Sequence, residues 1–431
     1  MPANMSSMDP IFKEDYGPVL TTQLNNECPA LDWFEKVSDI RWVGKYHVEP
    51  IHVNRNRGSY WGTEGGAYPT AGNQQIEQLR IPCRYMWGAV QLTVQAIKAS
   101  QSDKGAFARL MRLEMDNILN DMRVSRNFAL WGDGTGVRCL ASAAGAASGV
   151  TEVDTPGNAS VVGSHGTRYL NVGDVVCAIV PATGALSSAG TFTITAINAD
   201  GTDFTASATT ANIDNNDYIV KAFGADTTLA ITDTEYRNAP MGIRGIVDAG
   251  AVINDYFGQS RVTFPILQSY VLTTTGALSA DILYRAVDVA GSVGNAKITK
   301  HCMAPDVRRA FIAIMENDRR YTMEYLSKPD PGVKTGGDYK ASLSFAGIPV
   351  VVDHWAPFGE WFGLDTRSFR RASMTDGEWA DETGAVLTEV AGAVDTYKAT
   401  YRIYENYFAL RPNQSFRLAG IPSNVIVAQV V

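Results

Sequence analysis

This 431-residue sequence has no long apolar run, no signal-peptide pattern in its first residues and no cysteines spaced as a pair. No apolar run reaches the length of about 18 residues that a transmembrane helix needs, so we expect no membrane span. Residues 1–15 carry no basic start followed by an apolar stretch, which argues against a signal peptide. The cysteines are odd in number and scattered, which predicts buried free thiols in a reducing cytosol rather than disulfides or a zinc site; they are Cys28, Cys83, Cys139, Cys177 and Cys302.

Motifs of catalysis and of cofactor binding are missing as well. There is no Gly-x-Ser-x-Gly elbow. His47 and His52 are five residues apart on a predicted strand, so they fall on opposite faces and do not chelate one ion. The glycines of Gly132-Asp-Gly-Thr-Gly follow a predicted helix instead of opening one, which favours a helix cap and turn over a phosphate-binding loop. We therefore expect no enzyme activity, no cofactor and no metal.

One acidic stretch near tryptophans supports a more distant alternative. Two carboxylates between tryptophans would suit a glycosidase site, in a β-rich carbohydrate-active enzyme or adhesin. Trp355, Trp361 and Trp379 would then form the sugar platform. We favour a solvated, loop-rich surface for this stretch, whose acids are Glu360, Asp365, Asp376, Glu378, Asp381 and Glu382.

The chain is organised around the stretch from Arg80 to Gly136. It begins with an alternating run that predicts a half-buried strand, formed by Val90, Leu92, Val94 and Ala96. An amphipathic helix then runs from Asp103 to Leu130, which at 1.5 Å per residue is roughly 40 Å, the length of a strut. Its apolar face holds Phe107, Leu110, Met111, Met115, Ile118, Leu119 and Met122, and its charged face holds Arg109, Arg112, Asp116, Arg123 and Arg126.

Charge and composition set apart the segment from Val150 to about Asn238. Thr151 to Asp226 hold eight acids and two bases, a net charge of −6 within a total of −8, and none of the eight tryptophans. Short Val-, Ile- and Thr-rich runs between Asn- and Gly-containing turns predict a small all-β module after the small-residue linker Ala141–Ser148. The charge balance shows no dense basic face of the kind that binds nucleic acid.

The C-terminal half mixes helices and strands. Helices are predicted over Leu278–Val293 and, opened by Pro305, over Asp306–Met315. Ile348–Asp353 has the composition of a buried strand. Tyr397–Tyr404 alternates again, which predicts a late strand that returns beside the long helix.

Tyr46–Ala99 has the pattern of a long β-hairpin, with Tyr46–Asn54 going out and Gln75–Ala99 coming back. An isolated two-stranded ribbon is marginal in water, so it needs a body or a neighbouring subunit to lie on. The tip is rich in glycine and exposes aromatic and charged residues, which we expect to contact a neighbouring subunit; they are Tyr60, Trp61, Tyr68, Arg55, Arg57 and Glu64.

Taken in order, these parts resemble the major capsid protein of tailed bacteriophages, the Hong Kong 97-type fold. Arg126-Asn-Phe-Ala-Leu-Trp-Gly-Asp-Gly-Thr-Gly is similar to the end of that family's spine helix, and Gly242-Ile-Arg-Gly-Ile-Val-Asp to the start of its axial domain. Tyr397–Gly420, with Tyr407-Phe-Ala-Leu-Arg-Pro-Asn-Gln-Ser-Phe, is similar to its peripheral-domain ending. The resemblance covers nearly the whole chain except the β-rich module.

The resemblance implies an α+β fold with an inserted small all-β domain. The implied parts are an N-terminal arm (1–45), an extended loop (46–99), the spine helix with the start of the peripheral domain (100–149), the insertion (150–238), the axial domain (239–382) and strands returning to the peripheral domain (383–431). No lysine lies between Lys45 and Lys98, so we do not expect the covalent loop crosslink that some family members form. No long N-terminal scaffolding helix is visible either.

The implied function is assembly into pentamers and hexamers that close an icosahedral head around a double-stranded DNA genome, without sequence-specific DNA binding. The implied partners are other copies of the chain, a scaffolding protein, a portal protein and a decoration or cement protein. The implied location is the virion, assembled in the cytoplasm of a bacterial host. An encapsulin-like compartment shell is the alternative with the same fold, and it is less favoured because of the long arm and the β insertion.

Overall fold

The structure, a computed structural model, describes residues 28–36, 42, 44–99, 110–142, 150–152, 166–198, 201–207, 213–223, 231–273, 276–322, 343–381, 386–390 and 395–422. Its helices are α1 (Val94–Ala99), α2 (Leu110–Trp131), α3 (Ile243–Ile246), α4 (Ala280–Gly294) and α5 (Pro305–Thr322). Short 3-10 turns cover Pro29–Trp33, Ile231–Asp233, Pro265–Leu267, Thr366–Ser368 and Pro412–Gln414.

The strands divide among three large sheets and two hairpins. They are β1 (Glu35–Lys36), β2 (Tyr46–Asn54), β3 (Gln75–Pro82), β4 (Arg84–Thr93), β5 (Val137–Leu140), β6 (Val150–Glu152), β7 (Val175–Val180), β8 (Ala185–Ile197), β9 (Asp203–Ala206), β10 (Tyr218–Lys221), β11 (Asp255–Tyr256), β12 (Gln259–Ser260), β13 (Tyr270–Thr273), β14 (Lys300–Met303), β15 (Ser344–Phe345), β16 (Ile348–Val352), β17 (Trp361–Leu364), β18 (Phe369–Trp379), β19 (Thr388–Glu389), β20 (Thr396–Ala409) and β21 (Phe416–Ala419).

The five-stranded sheet (β1, β18, β20, β19 and β4) has the long strand β20 at its centre. β20 pairs antiparallel with β18 on one side and with the whole of β4 on the other. The long helix α2 packs against β4, and a Cβ atom added at Gly88 would collide with the sulfur of Met122 on that helix. The prediction that a late strand returns beside the long helix is therefore confirmed.

The returning half of the predicted hairpin differs from the prediction. β3 pairs with β2, but after Cys83 the chain leaves the hairpin and β4 joins β20 instead. The predicted strand also stops at Thr93, where its partner β20 begins at Thr396, and Val94–Ala99 is helical. Thr93 Oγ1 accepts a hydrogen bond from the Ala96 amide (3.3 Å), as a helix N-cap does. The alternating apolar residues Val94 and Ala96 therefore wrongly predicted that the strand continues beyond Thr93.

Helix α2 ends at Trp131, one residue beyond the predicted Leu130. Its predicted start at Asp103 lies outside the described residues, as do Phe107 and Arg109. Met122 on the predicted apolar face is buried against the sheet, and Arg126 on the predicted charged face is also largely covered, with its side chain 16% exposed. Its guanidinium donates two hydrogen bonds to Glu405 on β20 (2.6 and 2.8 Å), because this turn of the helix lies over the charged middle of that strand.

The six-stranded sheet has the order β5, β10, β7, β8, β9 and β6, and all its pairs are antiparallel. The Val-, Ile- and Thr-rich runs of the predicted module include Asp174–Val180, Thr191–Ile197 and Asp217–Ala222, and they form β7, the second half of β8, and β10, as predicted. β5 was missed, because its four residues follow the glycine turn directly and have no alternating pattern of their own. The sheet thus begins at Val137, ahead of the predicted module.

The mixed six-stranded sheet (β13, β21, β17, β14, β16 and β15) packs its core against α4 and α5. The predicted helix over Leu278–Val293 is confirmed as α4, whose N-cap Ser279 accepts a hydrogen bond from the Ile282 amide at 3.3 Å. α5 opens with Pro305, as predicted. Ile348–Val352 is a strand, but only Val350 within it is buried.

All five cysteines are free and buried, as predicted. Burial raises the pKa of the Cys177 thiol to about 12, so it stays protonated at neutral pH. Within the described residues, no helix is long and apolar enough to cross a membrane.

Candidate assembly surface

The hairpin of β2 and β3 is anchored at its root. Alternate residues point into the main core, and Ile51, Val53, Leu79 and Ile81 are all buried there. The root is also tied by backbone contacts, since the Arg80 amide donates to the Phe257 carbonyl at 2.9 Å. Period-two alternation of apolar residues is what fixes this face of a strand to a core.

The tip of the hairpin, residues 55–74, has no helix or strand and stands away from the body. Trp61 and Tyr68 are almost completely exposed, at 102% and 97% of their reference areas, and Tyr60 is exposed at 56%. Exposed rings of this size usually mark a surface that another molecule covers, because each would bury about 150–250 Å².

Hydrogen bonds inside the tip hold its shape. Asn56 bridges the two arms, with Nδ2 donating to the Gly72 carbonyl at 2.6 Å and Oδ1 accepting from the Gly58 amide at 2.7 Å. The Tyr60 hydroxyl donates to the Ala67 carbonyl. A Cβ atom at Gly72 would collide with the side-chain oxygen of Asn56, so any larger residue there would displace Asn56 from these hydrogen bonds. The tip therefore presents Trp61 and Tyr68 on a loop that is pinned to itself.

The charged residues of the tip are exposed in the same way. Arg55, Arg57 and Glu64 all face solvent, and none of them forms an ion pair with another residue in the part of the chain that the structure describes. The structure thus brings all six predicted contact residues onto one projecting loop.

The glycine turn after α2 closes the carbonyl end of that helix. Gly134 and Gly136 adopt left-handed φ values of 85° and 75°, and Asp133 Oδ1 accepts from the Thr135 amide at 2.9 Å. The start of α3 packs onto this end, where a Cβ atom at Gly242 would collide with the carbonyl oxygens of Ala129 and Gly132. An anion here would meet carbonyl oxygens, so the turn is a cap rather than a phosphate cradle.

Among the described residues, the histidines are dispersed over the hairpin and the mixed sheet. Within the described residues there is no group of three or more potential metal-ligating side chains. His47 bonds to Glu49 at 2.8 Å on the hairpin, while His52 is exposed further out. His301 is buried among aromatic rings and accepts from the Trp361 indole at 3.2 Å; burial lowers its pKa to about 4.

The predicted solvated acidic stretch is wrong in part. Glu360 and Asp365 are completely buried, and the stretch is mostly strand rather than loop. Trp361 is also completely buried and Trp355 nearly so, which removes them as a sugar platform. The reason is that β17 runs through the middle of the mixed sheet, a position that the sequence pattern did not reveal. Asp376 and Glu378 are exposed, as predicted.

Glu360 belongs to a buried charge network, here called the cross-tie and formed by Arg244, Asp248, Arg261, Glu360 and Arg417. Arg417 on β21 contacts Asp248 at 3.1 Å and Glu360 at 3.2 Å. Arg244 contacts the same Glu360 oxygen at 3.2 Å. Sequence reasoning missed the cross-tie, although three of its members lie inside the stretches Gly242–Asp248 and Tyr397–Gly420 that carry the family resemblance.

The antiparallel six-stranded sheet, which contains β7, is joined to the main core by two buried residues that precede that strand. The Tyr169 hydroxyl donates to the Trp355 carbonyl at 2.7 Å, and Arg168 donates to the Ala356 carbonyl at 2.9 Å. The Arg168 guanidinium also lies over the ring of Phe358 at 4.1 Å. Burial lowers the pKa of Arg168 and raises that of Tyr169 to about 12.

No protein-family model and no curated protein matches the sequence. Among solved structures, the chain is similar to one titled "Cyanophage A-1(L) capsid asymmetric unit", with 14% identity, a TM-score of 0.54, and coverage of 97% of this chain and 99% of that one. The chain has a phage capsid protein fold. Two further structures align with it at lower scores. They are a Gordonia phage Cozz chain (8% identity, TM-score 0.48, 96% and 93% covered) and the holo-SrpI encapsulin complex from Synechococcus elongatus (8% identity, TM-score 0.45, 100% and 98% covered).

Proposed function

We propose that this chain is the major capsid protein of a tailed bacteriophage, with the Hong Kong 97-type form of the capsid fold. In this proposal it assembles as pentamers and hexamers into an icosahedral head that encloses double-stranded DNA. The observation that carries the proposal is the near full-length likeness to a cyanophage capsid chain, combined with a projecting loop whose aromatic rings have no cover within the chain.

The domain division belongs to the same proposal. The hairpin within 46–99 is the extended loop, α2 is the spine within 100–149, and 239–382 forms the axial domain. The peripheral domain takes in 383–431 and the arm is 1–45. The insertion over 150–238 would be rooted on β5, because that strand pairs with β10 within the same sheet.

Shell closure needs a heterologous contact, in which two different patches of identical chains meet and the rotation closes on itself. A loop that projects from one subunit over the next provides such a contact. Burying Trp61 or Tyr68 would contribute roughly 4–6 kcal/mol per ring before the costs of association, taking about 25 cal/mol per Å² over 150–250 Å². Since the loop lacks lysine, we propose that packing holds it rather than a covalent crosslink.

The remaining partners follow from this function. A scaffolding protein would guide closure, a portal protein would occupy one vertex, and a decoration or cement protein would bind the outer surface. The acidic balance of the chain fits a wall that encloses DNA without binding it tightly, because phosphate binding grows with each presented lysine or arginine. Assembly would take place in the bacterial cytoplasm and yield a virion component.

Negative-stain electron microscopy with light scattering tests the proposal on the full chain, expressed with and without a scaffolding protein. Round shells of uniform size, or pentamers and hexamers, are the expected result. Deleting Asn56–Ala67 should abolish closure while the subunit keeps its circular dichroism spectrum. A chain that stays monomeric under all these conditions overturns the proposal. Shells that enclose a cargo enzyme instead of nucleic acid would identify an encapsulin-like compartment.

A further inference from the structure

Strand β4 is an edge strand with one open side. Its even-numbered residues bond to β20, since the Val94 amide donates to the Asp395 carbonyl (3.1 Å) in the register that places Thr93 opposite Thr396. The odd-numbered residues from Tyr85 to Thr93 therefore direct their N–H and C=O groups away from β20. Across the described ranges, no strand pairs with that side of β4.

The other sheet edges of the described chain are short, covered or interrupted. The outer side of β18 is covered at its start by β1, and bulges interrupt its regular pairing beyond Ser373. β2 contains Pro50 at its centre, and the outer side of β3 already bonds to Phe257 and Gln259. The outermost strands of the two six-stranded sheets have only two to four residues, in β5, β6, β13 and β15. Proteins protect exposed edges in these ways, because an open edge is a template for pairing with another chain.

β4 has none of these protections. It is ten residues long, and the stretch from Tyr85 to Thr93 contains no charged residue and no proline. All the residues that face the open side are exposed, and they are Tyr85, Trp87, Ala89, Gln91 and Thr93. Tyr85 and Trp87 stack on each other with ring centroids 6.0 Å apart, which stiffens the edge rather than shielding it.

We propose that β4 pairs antiparallel with β4 of a second copy, across a two-fold axis at Ala89, so that two five-stranded sheets become one. The two open sides meet only when odd-numbered residues of one strand lie opposite odd-numbered residues of the other. The register centred on Ala89 places each odd-numbered residue from Tyr85 to Thr93 opposite an odd-numbered residue of the partner strand. It places Tyr85 opposite Thr93 of the partner subunit and Trp87 opposite Gln91 of the partner subunit. The three pairs formed by Trp87, Ala89 and Gln91 each exchange two backbone hydrogen bonds. Thr93 offers only its amide to Tyr85 of the partner subunit, because as the N-cap of α1 it directs its carbonyl into that helix.

A second copy fits this edge better than an unrelated charged peptide. The open side holds no charge, so two copies meet without like-charge repulsion, whereas an acidic or basic peptide would find no complement. One strand pair is smaller than the roughly 1,200 Å² that a stable complex buries. The pairing therefore rests on the proposed self-assembly, and it forms where neighbouring contacts in a shell bring two subunits together.

A cysteine scan of the full chain tests the register. At a hydrogen-bonded antiparallel pair the Cα atoms are about 5.5 Å apart, within the roughly 4.4–6.8 Å that a disulfide spans. Ala89→Cys shells should give a dimer band under mild oxidation that reductant removes, and the five native thiols are buried and should not interfere. Gln91→Cys is the matched control, since the two copies of residue 91 would be roughly 14 Å apart. The double variant Trp87→Cys/Gln91→Cys should form the dimer band again.

The outcomes separate this pairing from the proposed function. Shells that form normally while Ala89→Cys gives no dimer band overturn the pairing and leave the capsid proposal standing. Equal dimer bands from Ala89→Cys and Gln91→Cys overturn the register. If the wild-type chain never assembles, the capsid proposal fails and the pairing with it.

A second variant tests the pairing without cysteine chemistry. Ala89→Lys places two like charges directly opposite each other at the two-fold axis. Closed shells should become at least about tenfold fewer, the factor that 1.4 kcal/mol produces, while the melting temperature of the free subunit stays unchanged. Shell yield equal to wild type would count decisively against the pairing.

Discussion

The cross-tie and the hairpin tip place the same residue types in opposite settings. In the cross-tie, Arg244, Arg261 and Arg417 are buried and bonded to carboxylates of the same chain. At the tip, Arg55 and Arg57 are exposed without an ion pair among the described residues. Tryptophan shows the same contrast, since Trp361 is fully buried and Trp61 fully exposed. The charged side chains of the cross-tie pair within the subunit, whereas the tip residues are exposed to solvent, and we propose that a neighbouring subunit covers them.

The largest expected effect comes from removing one member of the cross-tie. Glu360→Ala leaves Arg244 and Arg417 buried beside a lost carboxylate, and the free energy of unfolding should fall by about 3–5 kcal/mol. Urea unfolding of the unassembled subunit measures it. The matched control is Glu378→Ala, because Glu378 is 56% exposed in its ion pair with Arg402 and should contribute no more than about 1 kcal/mol. Equal losses in the two variants would contradict the contrast.

The next effect depends on pH and concerns His301. Burial lowers its pKa to about 4 in the folded chain, against about 6.5 when unfolded, so between these values the unfolded chain binds the extra proton. The contribution of His301 to the free energy of unfolding should fall as pH drops from about 6.5 to 4, by at most about 3 kcal/mol in total, and this contribution should not change further below pH 4. His301→Phe keeps an aromatic ring in the cluster and should lose this part of the pH dependence.

Urea unfolding at several pH values, for wild type and His301→Phe side by side, measures the difference. Exposed His52 provides the control, since His52→Phe should leave the wild-type slope intact. Parallel slopes for wild type and His301→Phe would show that this histidine is not the source.

A smaller effect, on assembly alone, is expected at the tip. Trp61→Ala and Tyr68→Ala should each weaken a contact between subunits by about 2 kcal/mol, a roughly 30-fold rise in the concentration needed for assembly. The melting temperature of the free subunit should not change, because neither ring is covered within the chain. Light scattering against concentration gives the threshold. Tyr60→Phe keeps the ring and removes only the hydroxyl bonded to Ala67 inside the tip, so it should raise this concentration less than either alanine variant.

The smallest effect is expected from the tip charges. Arg55→Ala and Arg57→Ala should weaken assembly by no more than about 1 kcal/mol each at low salt, and the difference from wild type should shrink as salt screens it. The assembly threshold measured at 50 mM and 500 mM salt checks this. If the variants still need a higher concentration than wild type to assemble at high salt, these arginines lie in a buried contact between subunits instead of at a solvated rim.

Several elements were readable in the sequence because their signals are local. An apolar helical stripe followed by a glycine turn predicts where α2 ends. β-Branched residues between turns predict strands such as Val175–Val180. The hairpin root follows from alternation between Tyr46 and Asn54 and again after Gln75. The exposed tip residues were identified by the same logic, since glycine-rich turns rarely bury aromatic rings.

The wrong or missing predictions share one cause. Whether a segment becomes a helix, a strand or a buried site depends on the element that lies beside it in the fold. Alternation continued through Ala96, but the ladder ends where β20 begins, so Val94–Ala99 became a helix. β5 is a strand because β10 lies beside it. Glu360 and Asp365 were predicted to be surface acids, but they are buried because they flank a central strand of the mixed sheet.

By itself, the sequence determined where the chain turns, which faces of its longest elements are apolar, that its thiols are not spaced for pairing, and that a bare aromatic tip exists. Only the tertiary structure decided which strands become neighbours, which charges are buried, and that β4 has an open edge. Local periodicity and turn chemistry act within a few residues. Strand pairing and ion-pair burial join residues as far apart as Arg126 and Glu405, and no short-range pattern records such a partner.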